Sequence, residues 1–460
     1  MKKIDLHNLF IKTLDKIPIK LLRYLLSLNN FENIVYGKEY KSYKLFLEEN
    51  KNNYDNTQQL VKLINNAIDN VPYYKKYTRI NNKDTFKSKI PFVSKDIISE
   101  NISQFINEKI NFSHYSESTT GGTSGKTLQL FIPKNRYIVE LGTMHKLWEN
   151  VDFKNHVRAV IRNHQLPENK DYIINPITKE YIFDGFRLND QYFQLIYDVI
   201  KKDNIQFIHA YPSIAFVFCK FLYKKKLDTS FIKSFLSGSE NIYPFQKDFI
   251  RNELNIKFYG WYGHSEKILL GGYCKYNDLY HMEPTYGHVE LINKEGLNIT
   301  KIGEIGEVVA TTIHNNGMPL IRYKTNDFAE YAGDYCPDCK RHLLLLKNIQ
   351  GRRDGTKIYT ANKESFTTGL LEYEKDLLNV IDGLQHIQKE IGKLEVYIIK
   401  NELFTKEDHE KFIDYYKTGF YDNMEIEIIY VDKLKKHPNG KFIELISEVK
   451  NNEVKNNEFK

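Results

Sequence analysis

The chain has 460 residues, and its 66 lysines and arginines exceed its 59 acidic residues enough to give a formal net charge of +7. This charge is mild for the length and is not gathered into a dense basic block, which argues against nucleic-acid binding. The four cysteines are too few for a disulfide scaffold, and neither a run of about 18 apolar residues nor a signal-peptide pattern occurs, so we expect a soluble, cytoplasmic protein.

The first predicted element is an amphipathic stretch over residues 6–28, where apolar residues recur at helical spacing with basic residues between them. Pro18 breaks any single long helix in this stretch. Such a segment commonly docks on its own domain, and the alternative is a peripheral contact with a membrane surface or a biosynthetic complex. A helix over 57–70 follows, and Ser94 is predicted to cap the start of another.

Residues 118–127 form a loop rich in glycine and hydroxyl side chains, ahead of a predicted strand over 128–132. Its glycines let backbone N–H groups approach phosphate oxygens, while the hydroxyls and a lysine add donors and charge. The predicted triphosphate-binding residues are Thr120, Gly121, Gly122, Thr123, Ser124, Gly125 and Lys126. The spacing is not that of a Walker loop. A flexible surface hairpin is the alternative for such a run, so the phosphate interpretation depends on motifs downstream.

Beyond this loop the pattern predicts alternating helices and strands. The predicted helices are 137–149, 190–201, 213–223 and 244–253, and the predicted strands are 157–161, 206–210, 231–236 and 256–259. This alternation predicts an α/β domain with mostly parallel sheets and a ligand at the carboxyl ends of the strands.

Beyond Gly287 the sequence pattern changes and predicts a β-rich portion of short alternating strands. These predicted strands are 288–292, 306–312 and 320–323, and a smaller α/β unit then has strands 393–399 and 425–431 beside a helix over 406–416. The sequence therefore predicts four parts. They are an N-terminal helical segment over 1–65 packed on a large domain of 66–350, a hinge at 351–354, and a small C-terminal domain of 355–460.

Four short motifs follow the glycine-rich loop in order. They are Tyr262-Gly263-His264-Ser265-Glu266, Arg322-Tyr323-Lys324-Thr325-Asn326-Asp327, Gly351-Arg352-Arg353-Asp354 and Pro438-Asn439-Gly440-Lys441. Together with that loop, the chain from about 67 to 442 resembles adenylate-forming enzymes of the acyl-CoA synthetase type. More narrowly, it resembles the phenylacetate-CoA ligase family and its CapK-like branch. The resemblance implies a large adenylate-forming domain and a small, mobile C-terminal domain.

The chain departs from the family motifs at four positions. Ser124 and Ser265 each replace a threonine, Thr127 replaces a proline, and Asn326 replaces a glycine. The last exchange is tolerable because asparagine can adopt the left-handed backbone conformation.

The resemblance implies a role for several matched residues in binding Mg-ATP. Tyr262, with Gly263, would stack on adenine, Ser265 would contact a phosphate or Mg²⁺, and Glu266 would hold the Mg²⁺, which prefers oxygen ligands. Asp327 would accept hydrogen bonds from both ribose hydroxyls. Each motif alone would also fit a surface turn.

Weaker matches lie upstream, where packing at the ends of strands is an equally good interpretation. Gly238, Ser239 and Glu240 resemble the segment that lines the adenine and the acyl carboxylate. His209 and Tyr211 lie where the family's acyl pocket begins.

The C-terminal motifs complete the implied machinery. Arg352 would reach the nucleotide, and Asp354 would be the hinge about which the small domain rotates between half-reactions. Lys441 would be the catalytic lysine that stabilises charge developing on the α-phosphate.

The predicted function is ATP-dependent activation of a carboxylic acid to an acyl-adenylate, with release of pyrophosphate and transfer of the acyl group to an acceptor. Coenzyme A is the first acceptor to consider. The alternatives are an amine or hydroxyl of a glycan precursor in capsular polysaccharide biosynthesis, a carrier-protein thiol, or a non-catalytic nucleotide-binding subunit of such a pathway. Homodimers are common in the family. The sequence does not identify the acid.

The cysteines suggest a second metal. Cys336 and Cys339 form a CxxC pair, and Cys274 and His281 upstream complete a Cys₃His set of the kind that binds structural Zn²⁺. The alternative is a group of free thiols. Cys219, within an apolar helix, is predicted to be core.

Overall fold

The computed structural model describes residues 18–27, 31–119, 128–154, 156–162, 164–351, 357–362, 365–367, 377, 380–420, 423–436, 443 and 445–449. The chain divides into two compact units. Unit 1 comprises Met1–Ile242 and Gln246–Ile349, and unit 2 comprises Tyr243–Phe245 and Gln350–Lys460. Each unit has a hydrophobic core of its own. Within the described ranges, no helix combines the length and apolar character needed to cross a membrane.

The helices up to residue 252 are α1 Ile19–Ser27, α2 Phe31–Glu49, α3 Thr57–Asn70, α4 Lys83–Lys89, α5 Lys95–Glu100, α6 Arg136–Trp148, α7 Asp190–Lys202, α8 Pro212–Lys224 and α9 Pro244–Asn252. Several begin at a residue whose side chain accepts a hydrogen bond from one of the first N–H groups, which have no acceptor within the helix. The predicted cap Ser94 accepts a hydrogen bond from Ile97 N at 3.4 Å. Asn189 caps α7 in the same way, from Tyr192 N at 3.0 Å.

The described part of the N-terminal segment packs on unit 1. Leu22 of α1 is 2 % exposed within the main core. Arg23 forms an ion pair with Asp203 at 2.8 Å and donates to the Tyr172 hydroxyl at 3.3 Å. The half of the predicted amphipathic stretch before residue 18 lies outside the described residues.

A small hairpin flanks the glycine-rich loop. Its strands β1 Tyr115–Thr119 and β2 Gln129–Pro133 pair antiparallel, with Thr119 opposite Gln129. The strand predicted over 128–132 is thus present. Residues 120–127, which carry the predicted phosphate contacts, lie outside the described residues.

A twelve-stranded sheet forms the centre of unit 1. Its strands are β3 Arg158–Ile161, β4 Tyr172–Asn175, β5 Glu180–Phe183, β6 Phe207–Ala210, β7 Ser234–Gly238, β8 Lys257–Gly263, β9 Leu270–Tyr273, β10 Tyr280–Met282, β11 Gly287–Ile292, β12 Ile305–Thr312, β13 Tyr323–Tyr335 and β14 His342–Gln350. The order across the sheet is β11-β12-β13-β14-β10-β9-β8-β7-β6-β3-β5-β4.

The sheet has a parallel part and an antiparallel part. Strands β5, β3, β6, β7 and β8 run parallel, and β3, β6 and β7 are buried along their whole length. Parallel strands that are buried on both faces are mostly apolar, as these are. From β9 onward neighbouring strands pair antiparallel. The α/β fold is confirmed, and the β-rich portion continues the same sheet.

Unit 2 is a smaller α/β arrangement. It contains the pair β15 Lys357–Tyr359 and β16 Ser365–Thr367, the helix α10 Lys406–Gly419, and the strands β17 Ile381–Gln388, β18 Lys393–Lys400, β19 Glu425–Tyr430 and β20 Leu445–Ser447. The last four form a sheet in the order β19-β18-β17-β20. Phe412 and Tyr416 of α10 are fully buried in its core. The helix and the two strands predicted here are all present.

Candidate active site

Two motifs that are far apart in sequence meet at the end of β8. The Tyr262 hydroxyl donates to Asp327 Oδ2 at 2.8 Å, and His264 Nε2 lies 2.9 Å from the same oxygen and 2.7 Å from Tyr262 Oη. On its other side, His264 Nδ1 lies 3.7 Å from Glu266 Oε2. We call Tyr262, His264, Glu266 and Asp327 the β8–β13 cluster. It brings together three residues for which the sequence implied contacts with adenine, ribose and Mg²⁺.

The β8–β13 cluster is withdrawn from solvent. Glu266 and Asp327 are each 7 % exposed. Burial, followed by the nearby Asp327 carboxylate, holds the pKa of the Tyr262 phenol well above its ordinary value. Tyr262 therefore stays protonated and donates its hydrogen bond. Because a carboxylate only accepts, His264 must carry a hydrogen on Nε2 when it binds Asp327.

The local backbone of β13 positions Asp327. Asn326 has a φ of 61°, the left-handed conformation expected where asparagine replaces the glycine of the family motif. The Thr325 hydroxyl accepts from Asp327 N at 3.1 Å and donates to Val308 O of β12 at 2.7 Å. These contacts fix the start of β13 against β12, so the Asp327 carboxylate has a defined direction.

Neighbouring residues of the same motif hold the site together. The Tyr323 hydroxyl donates to Glu266 Oε1 at 3.3 Å. Arg322, in a left-handed conformation with φ 47°, binds Glu290 of β11 through two nitrogens, at 3.1 and 2.9 Å. Its third nitrogen donates to the carbonyl oxygens of Lys87 and Ile90, at 2.8 and 2.9 Å. Arg322 thus ties the end of α4 to the sheet under the site.

A second group lies at the carboxyl ends of β3, β6, β7 and β8. Arg162, which follows β3, donates to Ser239 Oγ at 2.9 Å and has Nη1 2.9 Å from His209 Nε2. Its guanidinium lies 4.6 Å from the centre of the Tyr211 ring and 5.7 Å from that of Trp261. We call Arg162, His209, Tyr211, Ser239 and Trp261 the Arg162 cluster.

The backbone around the Arg162 cluster is closely packed. A side chain at Gly238 would place its Cβ 2.5 Å from Trp261 O, so only glycine fits there. Ser239 has a φ of 69°, and Glu240 Oε2 accepts from Ser213 N, at the start of α8, at 3.2 Å. The predicted residues Gly238, Ser239 and Glu240 therefore line the edge at which open α/β sheets bind ligands.

The four predicted zinc ligands also come together, around the β9–β10 connection and the β13–β14 hairpin. The ligand atoms of Cys274, His281, Cys336 and Cys339 all lie within 4.8 Å of one another. Cys339 Sγ is 3.3 Å from His281 Nε2, and His281 Nδ1 lies 3.0 Å from Leu279 O. A Nδ1–H that donates to this carbonyl leaves Nε2 as the ligand atom. Cys219 is fully buried in α8, as predicted for a core residue.

Several predicted site residues lie outside the described residues. They are the phosphate-loop residues from Thr120 to Lys126, the nucleotide contact Arg352, the hinge Asp354 and the catalytic Lys441. Their roles stay predictions. Among the described residues, Ser265 is exposed next to the buried Glu266.

The structure adds residues whose roles the sequence did not identify. Tyr323 and His264 lie inside matched motifs, but their motif positions do not reveal that they contact Glu266 or Asp327. Arg162 immediately follows a predicted strand, and a charged residue at the carboxyl end of a buried parallel strand is a signal that could have been used.

Comparison with known sequences supports a relationship to CapK. Residues 358–448 match the sequence model of the CapK C-terminal domain. Protein CapK of Staphylococcus aureus is 19 % identical over 412 residues, which cover 84 % of this chain and 86 % of that protein.

Comparison with solved structures identifies the fold. The crystal structure of 2-hydroxyisobutyryl-CoA ligase in the postadenylation state, in complex with R3-HIB-AMP, has a TM-score of 0.66 and 13 % identity, covering 85 % of this chain and 88 % of that one. The same enzyme with 2-HIB-AMP and CoA, in the thioesterification state, has a TM-score of 0.54 and 14 % identity over similar shares. The chain is thus similar to CapK, with its C-terminal part matching the CapK C-terminal domain, and it has the fold of adenylate-forming ligases.

Proposed function

We propose that this protein is an AMP-forming ligase that activates a carboxylic acid as its acyl-adenylate and passes the acyl group to an acceptor. The observation that carries this proposal is the β8–β13 cluster, in which Tyr262, His264 and Asp327 share hydrogen bonds beside the buried Glu266. The resemblance to adenylate-forming enzymes implies such a set at an ATP site, with an aromatic ring for adenine, one carboxylate for ribose and one for Mg²⁺.

Each residue has a definite task in this proposal. The Asp327 carboxylate accepts hydrogen bonds from the ribose hydroxyls, which replace the contacts it now has with Tyr262 and His264. The Tyr262 ring packs against adenine. Lys441, supplied by the C-terminal motif, would stabilise negative charge as the carboxylate attacks the α-phosphate.

The donor set fits a Mg²⁺ ion. Glu266 is a buried carboxylate, held by the Tyr323 hydroxyl and adjacent to the exposed hydroxyl of Ser265. Mg²⁺ prefers a few carboxylate ligands together with phosphate oxygens and water. When bound, the ion would neutralise charge on the phosphates. Glu266 and Ser265 are the residues of this chain that would hold it.

The acceptor is the less defined half of the reaction. The solved structures of 2-hydroxyisobutyryl-CoA ligase contain CoA, which favours coenzyme A as the first acceptor to test. The CapK-like branch that the sequence resembles implies instead an amine or hydroxyl of a glycan precursor. A non-catalytic subunit would be expected to have lost motif residues, whereas Glu266, Asp327, Arg352 and Lys441 are all present.

The test is hydroxylamine-trapped release of pyrophosphate from Mg-ATP, with a panel of carboxylic acids and without coenzyme A. We expect acid-dependent release from the wild type and its loss in Glu266→Gln, which keeps the shape of the side chain but removes the charge. The exposed Glu100→Gln is the matched control. ATP binding without turnover on any acid, including glycan-derived acids, would favour the non-catalytic alternative.

We also propose that the cysteine cluster holds a structural Zn²⁺. A tetrahedral ion with ligands at about 2.0–2.3 Å needs donor atoms roughly 3.5–3.8 Å apart, and the four donor atoms here lie within 4.8 Å of one another. Three thiols, one imidazole and the carbonyl behind His281 form a closed set, typical of a structural rather than a catalytic site.

A further inference from the structure

Arg162 is a charged side chain whose direct hydrogen-bond partners are neutral. Its two terminal nitrogens contact His209 and Ser239. Burial, followed by the charges of Arg162 and Arg158, holds the pKa of His209 well below its ordinary value, so the imidazole is neutral. Ser239 has no charge either. The positive charge of Arg162 is therefore not compensated by the groups that hold it.

Other arginines of unit 1 show the contrast. Arg158, Arg322 and Arg341 each bind a glutamate carboxylate, namely Glu180, Glu290 and Glu283. Within the described ranges of the chain, Arg162 makes no such ion pair. The carboxylates of Glu240 and Glu180 stabilise the charge of Arg162 only from beyond ion-pair distance, and burial outweighs them and lowers its pKa. A guanidinium desolvated without a carboxylate in direct contact is costly.

Arg136 is a further buried arginine without an ion pair in the described part of unit 1, but its surroundings differ. It is only 2 % exposed, and its guanidinium lies 4.0 Å from the centre of the Tyr286 ring. Arg162 is partly exposed, so a small molecule can reach it. Of the two, Arg162 is therefore the one that can meet a ligand.

The surroundings of Arg162 favour a ligand with oxygen acceptors. Arg162 Nε and Trp261 Nε1 are both buried N–H donors without an acceptor among the described residues. The Trp261 and Tyr211 rings form apolar walls beside the guanidinium. An apolar wall with a few convergent donors is typical of a small-molecule site. The cluster also includes Ser239, from the segment matched to the acyl and adenine pocket.

We propose that Arg162 binds a second anionic group of the acid substrate, so that the preferred substrates are dicarboxylic acids. This inference rests on the proposed function for the identity of the reacting group. Adenylation removes the charge of the reacting carboxylate, which would leave Arg162 uncompensated in the product. A second carboxylate keeps its charge throughout the reaction and can remain paired with the guanidinium.

Binding can be tested separately from turnover. Calorimetric titrations of the full chain with straight-chain dicarboxylic acids and monocarboxylic acids of equal length would compare wild type, Arg162→Met and Arg162→Lys. We expect the wild type to bind its best dicarboxylic acid at least about tenfold more tightly than the matched monoacid. Arg162→Met should abolish that difference without changing monoacid affinity, and Arg162→Lys should restore part of it.

A further variant tests the same site with Arg162 intact, in case the arginine substitutions fail to fold. Trp261→Phe keeps an aromatic wall but removes the unpartnered N–H, so it should weaken dicarboxylic acids more than monoacids. The assignment is overturned if no dicarboxylic acid binds or if monoacids bind as tightly. It is also overturned if Arg162→Met weakens both classes equally, since Arg162 would then hold the reacting carboxylate.

The pyrophosphate assay distinguishes this inference from the proposed function. Arg162-dependent binding of dicarboxylic acids without pyrophosphate release would contradict adenylation and retain the Arg162 assignment. Adenylation of monoacids as efficient as that of the matched dicarboxylic acids, in the wild type, would retain the reaction and reject the assignment.

Discussion

His264 is the residue that connects the two carboxylates of the candidate site. It reaches Asp327 with Nε2 and faces Glu266 with Nδ1, so one ring links the predicted ribose contact to the predicted metal contact. The sequence assigns no role to this position, and only the fold reveals one. Asn326, in contrast, could be interpreted from the sequence, because its left-handed backbone follows from the glycine it replaces.

Asp327→Asn tests the ribose contact. It keeps the size of the side chain but loses the charge that strengthens both hydrogen bonds to the sugar, so we expect ATP affinity to fall by about 10- to 100-fold. Calorimetric titration with Mg-ATP measures this change. Asp69→Asn, at a half-exposed surface pair, should leave the affinity unchanged. Wild-type affinity in Asp327→Asn would show that ribose binds elsewhere.

Two half-buried histidines make stability depend on pH. Burial, then the nearby lysines, lowers the pKa of His288 from 6.5 to about 3, and burial, then Arg136, lowers that of His314 to about 4. In the unfolded chain both would take up a proton below about pH 6.5, so the folded state loses stability as the pH falls from there towards 4. Each histidine contributes at most about 1.4 kcal/mol per pH unit.

Urea unfolding of unit 1 at several pH values measures this dependence. We expect His288→Gln combined with His314→Gln to show a shallower loss between pH 6.5 and 4 than the wild type. The exposed His342→Gln is the matched control. Equal slopes in the double variant and the wild type would contradict the assignment.

At the scale of elements, Arg322 joins β13, β11 and the end of α4. It is 6 % exposed, and its partner Glu290 is 4 % exposed. Removing one member of a buried ion pair leaves the other uncompensated, so Arg322→Met should destabilise unit 1 by about 3–5 kcal/mol. Denaturant unfolding measures this. Lys324→Met, in a more exposed pair with Glu307, should cost less than about 1 kcal/mol. A similar loss of unfolding free energy in both variants would contradict the greater contribution of the buried ion pair.

The proposed Zn²⁺ would fasten the β13–β14 hairpin to the residues around β10. We expect about one zinc ion per purified chain, its loss in Cys336→Ser, and its retention in the matched control Cys219→Ala, since Cys219 lies in the core of α8. Losing the ion should lower the melting temperature by roughly 5–10 °C. Elemental analysis and thermal unfolding measure both. Zinc-free protein with unchanged stability in Cys336→Ser would indicate free thiols.

The elements that sequence reasoning missed have physical explanations. Helix α2 was not predicted, and Gly37 at φ 70° interrupts it. The strand predicted over 320–323 meets β13 only at Tyr323, because the buried face of β13 includes the polar Thr325 and Asp327, which break the apolar alternation. These polar residues are buried because they belong to the candidate site. A search for hydrophobic patterns therefore misses strands that carry functional residues.

At the scale of the whole molecule, the sequence predicted the kinds of element better than their arrangement. The alternation of helices and strands identified the parallel part, and the shorter strands identified the antiparallel part. That both belong to one twelve-stranded sheet depends on pairings between distant segments, such as β10 with β14. No local pattern fixes these pairings. Sequence reasoning predicts His209, Tyr211 and Ser239 of the Arg162 cluster but misses Arg162 and Trp261 for the same reason, since four strand ends contribute to the cluster.

Isotope exchange between pyrophosphate and ATP directly measures whether the protein forms an acyl-adenylate. With a suitable acid, the wild type should incorporate labelled pyrophosphate into ATP, and omission of the acid should abolish the exchange. Lys441→Ala should reduce it by orders of magnitude while ATP still binds. If Lys441→Ala exchanged at the wild-type rate, the catalytic assignment would be wrong. If exchange never depended on an acid, the account of this protein as an adenylate-forming ligase would be contradicted.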